Sequence, residues 1–168
     1  MAEKISLKIL KIEGDGFHLQ AKVKINGKPA LVIVDTGASR TVFDRTEIGA
    51  FLKTEAIAEH DRVSTGLGTS SMQSQFVVLG SFSLGKIKME NFHAVILDLQ
   101  HVNQTYAALG FKTIAGVLGS DVLMAHHAVI DFRKKSMTLT SPKIPKKKKV
   151  TKAASEGKKK TVRRAKKK

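Results

Sequence analysis

Phe17, Leu19, Ala21, Val23 and Ile25 alternate with His18, Gln20, Lys22 and Lys24, the period-two pattern of a strand with one buried and one wet face. His18 therefore belongs to the solvent-facing set. Asn26-Gly27 comes next, a dipeptide suited to a tight hairpin because both residues tolerate positive φ, and it folds this strand back onto Ala30 to Val34. Leu31 to Val34 are apolar without a break, as in a strand buried on both faces, and the run ends abruptly at Asp35-Thr36-Gly37-Ala38-Ser39. Upstream, Ile5 to Ile12 alternate imperfectly as a first strand, turned by Glu13 to Gly16.

Downstream, Arg40 to Phe43 reads as a short strand, and Asp44 as the cap of a helix reaching about Lys53, with Ile48, Phe51 and Leu52 on its apolar face. Glu55 to His60 is a connector. Residues 62 to 80 are small, polar and glycine-rich before an apolar strand at Phe76 to Leu79. Thr65-Gly66-Leu67-Gly68 is either a mobile hairpin tip or a functional one; without a third spaced glycine or a following helix it is no dinucleotide fingerprint. Phe82 to Gly85 and Ile87 to Met89 suggest a hairpin, Phe92 to Leu99 a strand, and Gln100 to Gly110 a short helix or loop with Tyr106 and Leu109 inward. Val117-Leu118 runs into Gly119, Asp121 to His126 forms a short helix, and Ala128 to Phe132 with Met137 to Leu139 makes a last hairpin. Many short strands and two or three short helices predict a mostly-β, closed or sandwich-like domain.

The chain of 168 residues has room for one domain and appendages. It has no cysteine, which excludes disulfides, thiolate metal sites and thiol nucleophiles. No apolar run reaches the length of a membrane span, and lysines interleave the first ten residues where a signal peptide would be apolar, so a cytosolic protein is expected. Net charge is +16, yet residues 142–168 carry fourteen Lys or Arg against one acid, Glu156, leaving only +3 on residues 1–141. The division expected is a folded domain over 1–141 and a disordered basic tail over 142–168.

A carboxylate at the mouth of a core strand is costly unless its neighbours hydrogen-bond it, and Thr36 and Gly37 offer a hydroxyl and an unshielded N–H. Alone, Asp-Thr-Gly is equally a strand-end turn. A second stretch, Ile114 to Leu123, changes that balance, because Asp-Thr-Gly-Ala-Ser after an apolar strand, followed much later by two apolar residues, Gly and a short helix, is a recognisable combination. Over residues 5 to 140 the chain resembles the single-domain, retroviral-type (retropepsin-like) aspartic proteases and their bacterial relatives. The resemblance implies a closed β-barrel-like fold with a flap hairpin, and an endopeptidase acting on extended polypeptide segments in a bacterial cytosol, without metal or cofactor.

It also assigns roles. Asp35 matches the catalytic aspartate, Thr36 the residue locking two active-site loops across a dimer, and Gly37 with Ala38 the segment against substrate backbone. Thr65 to Gly68 match the flap, and Val117-Leu118-Gly119 the segment crossing behind the catalytic loop. Such hydrolysis needs two adjacent carboxylates sharing one proton, and this chain has one Asp-Thr-Gly and no internal repeat, so a homodimer is expected. Viral members often pair an acid two residues after the triplet with an arginine after the later glycine; here those places are Ser39 and Ser120. Arg40 and Asp121, adjacent in both motifs, are the expected substitute pair.

Other chemistries lack support. The six histidines show no His-Glu-x-x-His spacing, and His126-His127 are neighbours that point apart. Neither Ser39 nor Ser120 sits in a Gly-x-Ser-x-Gly elbow. The basic tail has no aromatic residue for base stacking, which leaves solubilisation, salt-sensitive contact with nucleic acid or other polyanions, or, in a eukaryote, nuclear import through Pro145 to Val150. The rival to a peptidase is a non-catalytic dimeric module binding peptides or polyanions.

Overall fold

Alternation and turn chemistry build the first half of the sheet as they predict. The computed structural model describes residues 2–12, 14–52, 62–66 and 69–141. Strand β1 (Ala2–Lys11) turns through Gly14 into β2 (Phe17–Ile25), and β2 turns into β3 (Lys28–Val34) at Asn26 and Gly27, whose φ values are 49° and 82°. Those two positive values are the reason for Asn-Gly at this place. Then follow β4 (Val42–Asp44), α1 (Arg45–Ile48), β5 (Arg62–Gly66), β6 (Thr69–Leu84) and β7 (Ile87–Leu97). The chain continues with α2 (Gln100–Ala108), β8 (Gly116–Leu118), α3 (Ser120–Ala125), β9 (Val129–Asp131) and β10 (Ser136–Thr140).

The strands form one sheet in the order β5-β6-β7-β4-β8-β3-β2-β1-β10-β9, and β6 also pairs with β2. That second pairing closes β2, β3, β8, β4, β7 and β6 into a six-stranded barrel. Closure joins the two ends of this six-strand run, and β5 and β9 remain at the ends of the full strand order. The main core fills the barrel and includes Val32, Phe43, Leu79, Phe82 and Leu118. A smaller cluster of Leu10, Ile33, Tyr106 and Ile114 lies where α2 packs. Among the described residues no helix is long and apolar enough to cross a membrane.

Several predicted elements differ from those found. Strand β6 runs unbroken through Gly80, where separate segments were expected, because it pairs with β7 on both sides of that glycine and Asn26 clasps Ser81 just after it. Asn26 N–H donates to the Ser81 carbonyl at 2.8 Å, and Ser81 N–H donates to Asn26 Oδ1 at 2.9 Å. Helix α1 stops after one turn at Gly49, short of the predicted reach to Lys53, which with the connector 55–60 lies outside the described residues. Phe17 is 57% exposed and Gln20 6% exposed, the reverse of their alternation. The reversal at Gln20 follows from β2 being covered on both faces, by the barrel core on one and by the β1–β3–α2 cluster on the other. The tail, 142–168, also lies outside the described residues.

Candidate active site

Asp35 is placed by a three-strand crossing. Strand β8 lies between β3 and β4, parallel to β3 with Val34 opposite Leu118 and antiparallel to β4 with Val42 opposite Val117. The loop from Asp35 to Thr41 must therefore arch over the end of β8. Asp35 N–H donates to the Leu118 carbonyl at 3.0 Å, which ends the β3 ladder at the carboxylate. Asp35 Oδ1 accepts the Gly37 N–H at 2.8 Å, so the local Asp-Thr-Gly turn is formed as its residues suggest. Asp35, Thr36 and Gly37 are nevertheless exposed, and Ala38 is half-buried.

The loop is held from behind by the segment after β8. Ser120 donates to the Ala38 carbonyl twice, through its N–H and its hydroxyl, both at 2.7 Å. Gly119 N–H donates to Thr41 Oγ1 at 3.1 Å, and that hydroxyl donates in turn to Asp121 Oδ1 at 2.7 Å. Asp121 also accepts the Thr41 N–H at 3.0 Å and the Val122 N–H at 2.8 Å. A Cβ on Gly119 would overlap the backbone of Arg40 and Thr41, so only glycine lets the two motifs approach this closely. Gly116 is confined in the same way by the backbone of Val42 and Phe43.

The expected Arg40–Asp121 pair is not formed: no ion pair joins them among the described residues. Asp121 is already bonded by Thr41 and Val122, while Arg40 packs its backbone against Gly119 and is exposed. Thr41, fully buried, carries the connection instead. Its one signal in the sequence was a hydroxyl residue between the Asp35 loop and an apolar strand. Thr65 and Gly66 end β5, which pairs with β6 at the sheet edge with a register shift between Ser64 and Gly66. Leu67 and Gly68 lie outside the described residues.

Beside Asp35 opens a cleft of about 500 Å³, walled mainly by apolar side chains, among them Ile33, Val117, Val102, Ile114 and Phe132. Helix α2 makes one wall. The buried Asn103 side chain clamps the helix to the strand leading into β8, donating to the Ile114 carbonyl at 3.1 Å and accepting its N–H at 2.8 Å. His18 and Tyr106 are the other titratable residues of that lining, joined by a 2.5 Å hydrogen bond. Burial pushes the Tyr106 phenol above its ordinary 10.0. Among the described residues no three His, Asp or Glu side chains gather as metal ligands.

A family model described as aspartyl protease matches residues 21–122, more than half of the chain and inclusive of both motifs. The chain belongs to the aspartyl protease family. Among solved structures, this aspartyl protease is similar to a retropepsin-like aspartic protease from Rickettsia conorii, with a TM-score of 0.51 at 18% identity over 84% of this chain and 94% of that one. It is also similar to the retroviral protease-like domain of Ddi1 from Leishmania major, with a TM-score of 0.51 at 15% identity over 73% and 87%. These likenesses establish the fold as retropepsin-like. A comparison with curated protein sequences gives no match.

Proposed function

We propose that the chain is a homodimeric aspartic endopeptidase whose active site forms when two Asp35 carboxylates meet across a two-fold axis. The observation that carries this reading is an exposed Asp35 at the edge of an apolar cleft, on a loop fastened from behind and open in front. One carboxylate is half of a proton-sharing pair. Brought within about 3 Å, two cannot both ionise cheaply, so one holds the proton and the other acts as base. The base takes a proton from a bound water, whose oxygen adds to the peptide carbonyl carbon while the acid protonates the carbonyl oxygen. The resulting gem-diol then expels the amine, protonated as the C–N bond breaks, and leaves a carboxylic acid.

In this reading Thr36 joins the two loops, Gly37 and Ala38 present backbone to the substrate, and the β5–β6 hairpin at Thr65 to Gly68 closes over an extended peptide. The test is hydrolysis of a mixed peptide library across pH and protein concentration. A bell-shaped pH profile, activity rising with dimer formation and its loss in Asp35→Asn support the pair; a folded, dimeric and equally inert native chain removes it. The concentration of positive charge in residues 142–168 supports a second role, salt-sensitive attachment to polyanions. Deleting 142–168 is expected to abolish the salt slope of binding to nucleic acid, and an unchanged slope removes that role.

A further inference from the structure

We infer that His18, oriented by Tyr106, is a specificity-determining residue that reads a carboxylate-bearing side chain, Glu or Asp, of the peptide lying in the cleft beside Asp35. The inference rests on the peptidase reading for its substrate class.

The placement comes from the strand register. The β2–β3 ladder ends with Leu19 opposite Val34, so His18 and Asp35 are the next residues along the two strands, and both line the cleft. The remaining lining is apolar apart from Thr36 and the Tyr106 hydroxyl. An acidic substrate side chain in such a cleft would face the Asp35 carboxylate and little else that is polar. A donor able to become cationic is what that environment requires.

His18 is available for this. Its Nδ1 is engaged by the Tyr106 hydroxyl at 2.5 Å, while Nε2 makes no hydrogen bond among the described residues. Nor does His18 form an ion pair with Asp35 among the described residues. The Tyr106 phenol stays protonated because burial raises its titration, and when it donates to Nδ1 of a neutral imidazole the ring proton sits on Nε2. That tautomer offers Nε2–H to the cleft, and in an imidazolium both ring nitrogens donate, Nδ1 then to the Tyr106 oxygen. Tyr106 is itself buried, 2% exposed and packed edge-on to Phe111 in the smaller core. The titratable groups lining the cleft with His18 are Tyr106 from α2 and Asp35 after β3, and the β1 residue opposite is the apolar Leu10.

The test uses the full chain and a Leu/Ala host peptide with a single Glu, Gln or Leu stepped through its central positions. The ratio of kcat/KM for Glu over Gln removes the part of the catalytic pair's titration that both peptides share, and comparison with His18→Gln removes the part that comes from Asp35 facing the Glu carboxylate. At one register the ratio is expected to be roughly five- to tenfold at pH 5 and to shrink to about twofold or less at pH 8, as imidazoles lose their charge between those limits. His18→Gln removes the preference for Glu at pH 5, and Tyr106→Phe, which keeps the ring, reduces it. A ratio unchanged in His18→Gln, or no register with a pH-dependent preference, overturns the inference. The same ratios measured as binding to Asp35→Asn, with and without His18→Gln, need no hydrolysis. A preference there that His18 controls, with no cleavage by the native chain, sustains the inference and counts against the peptidase reading alone.

Discussion

Thr41 and Arg40 are neighbours with opposite fates. The Thr41 hydroxyl is a relay between Gly119 and Asp121 in a buried setting, and its loss leaves a carboxylate and an N–H short of partners. Thr41→Val is expected to lower the unfolding free energy by about 2–3 kcal/mol in a urea titration. Arg40→Ala, with its side chain in water, is expected to stay within about 0.5 kcal/mol of the parent. Equal losses in the two variants would contradict this assignment. The sequence invited a charge pair because Arg40 and Asp121 each flank a motif; backbone contact with Gly119, which decides the outcome, has no composition signal. Tyr106 gives a pH prediction. Its folded pKa is raised, so its contribution is whole below the unfolded value near 10.0 and is lost as pH climbs through the folded value. The fall in melting temperature above pH 10 should accordingly be shallower in Tyr106→Phe than in the parent.

At the scale of elements, Asp35 and Asp44 look alike in the sequence, each a carboxylate after an apolar strand. Asp44 is buried, and its carboxylate accepts three N–H groups, from Thr46 at 3.0 Å, Glu47 at 2.9 Å and Leu99 at 2.7 Å, so that it caps α1 and ties down the approach to α2. Asp44→Ala is expected to cost about 3 kcal/mol of unfolding free energy, whereas Asp35→Asn, exposed and still able to accept from Gly37, should stay within about 0.5 kcal/mol in the monomer. The Asn-Gly hairpin, the β2 and β3 strands, the Asp44 cap and the last hairpin were legible because each is decided by residues next to one another. The span of β6, the exposure of Phe17 and the cleft-facing place of His18 were not. Two of them depend on a partner far along the chain: Asn26 for β6, α2 for His18. Alternation assigned His18 to the wet side, where it is exposed, and that same side proves to be a wall of the cleft.

For the molecule as a whole, the proposed sharing of the site between two protomers predicts a mixing effect. Asp35→Asn chains added in excess should suppress the peptidase activity of a fixed amount of native chain, because mixed dimers hold one carboxylate in place of two. An enzyme complete within one chain would be unaffected. The threading of β8 between β3 and β4 has one more consequence. Asp35 leaves the ribosome long before Leu118, Gly119, Ser120 and Asp121, the residues that shape its loop, and β1 waits for β10, with Ala2 opposite Thr140. A half-made chain thus exposes an aspartate with no fixed geometry around it. The order of synthesis by itself leaves this loop unshaped until nearly the whole domain has emerged.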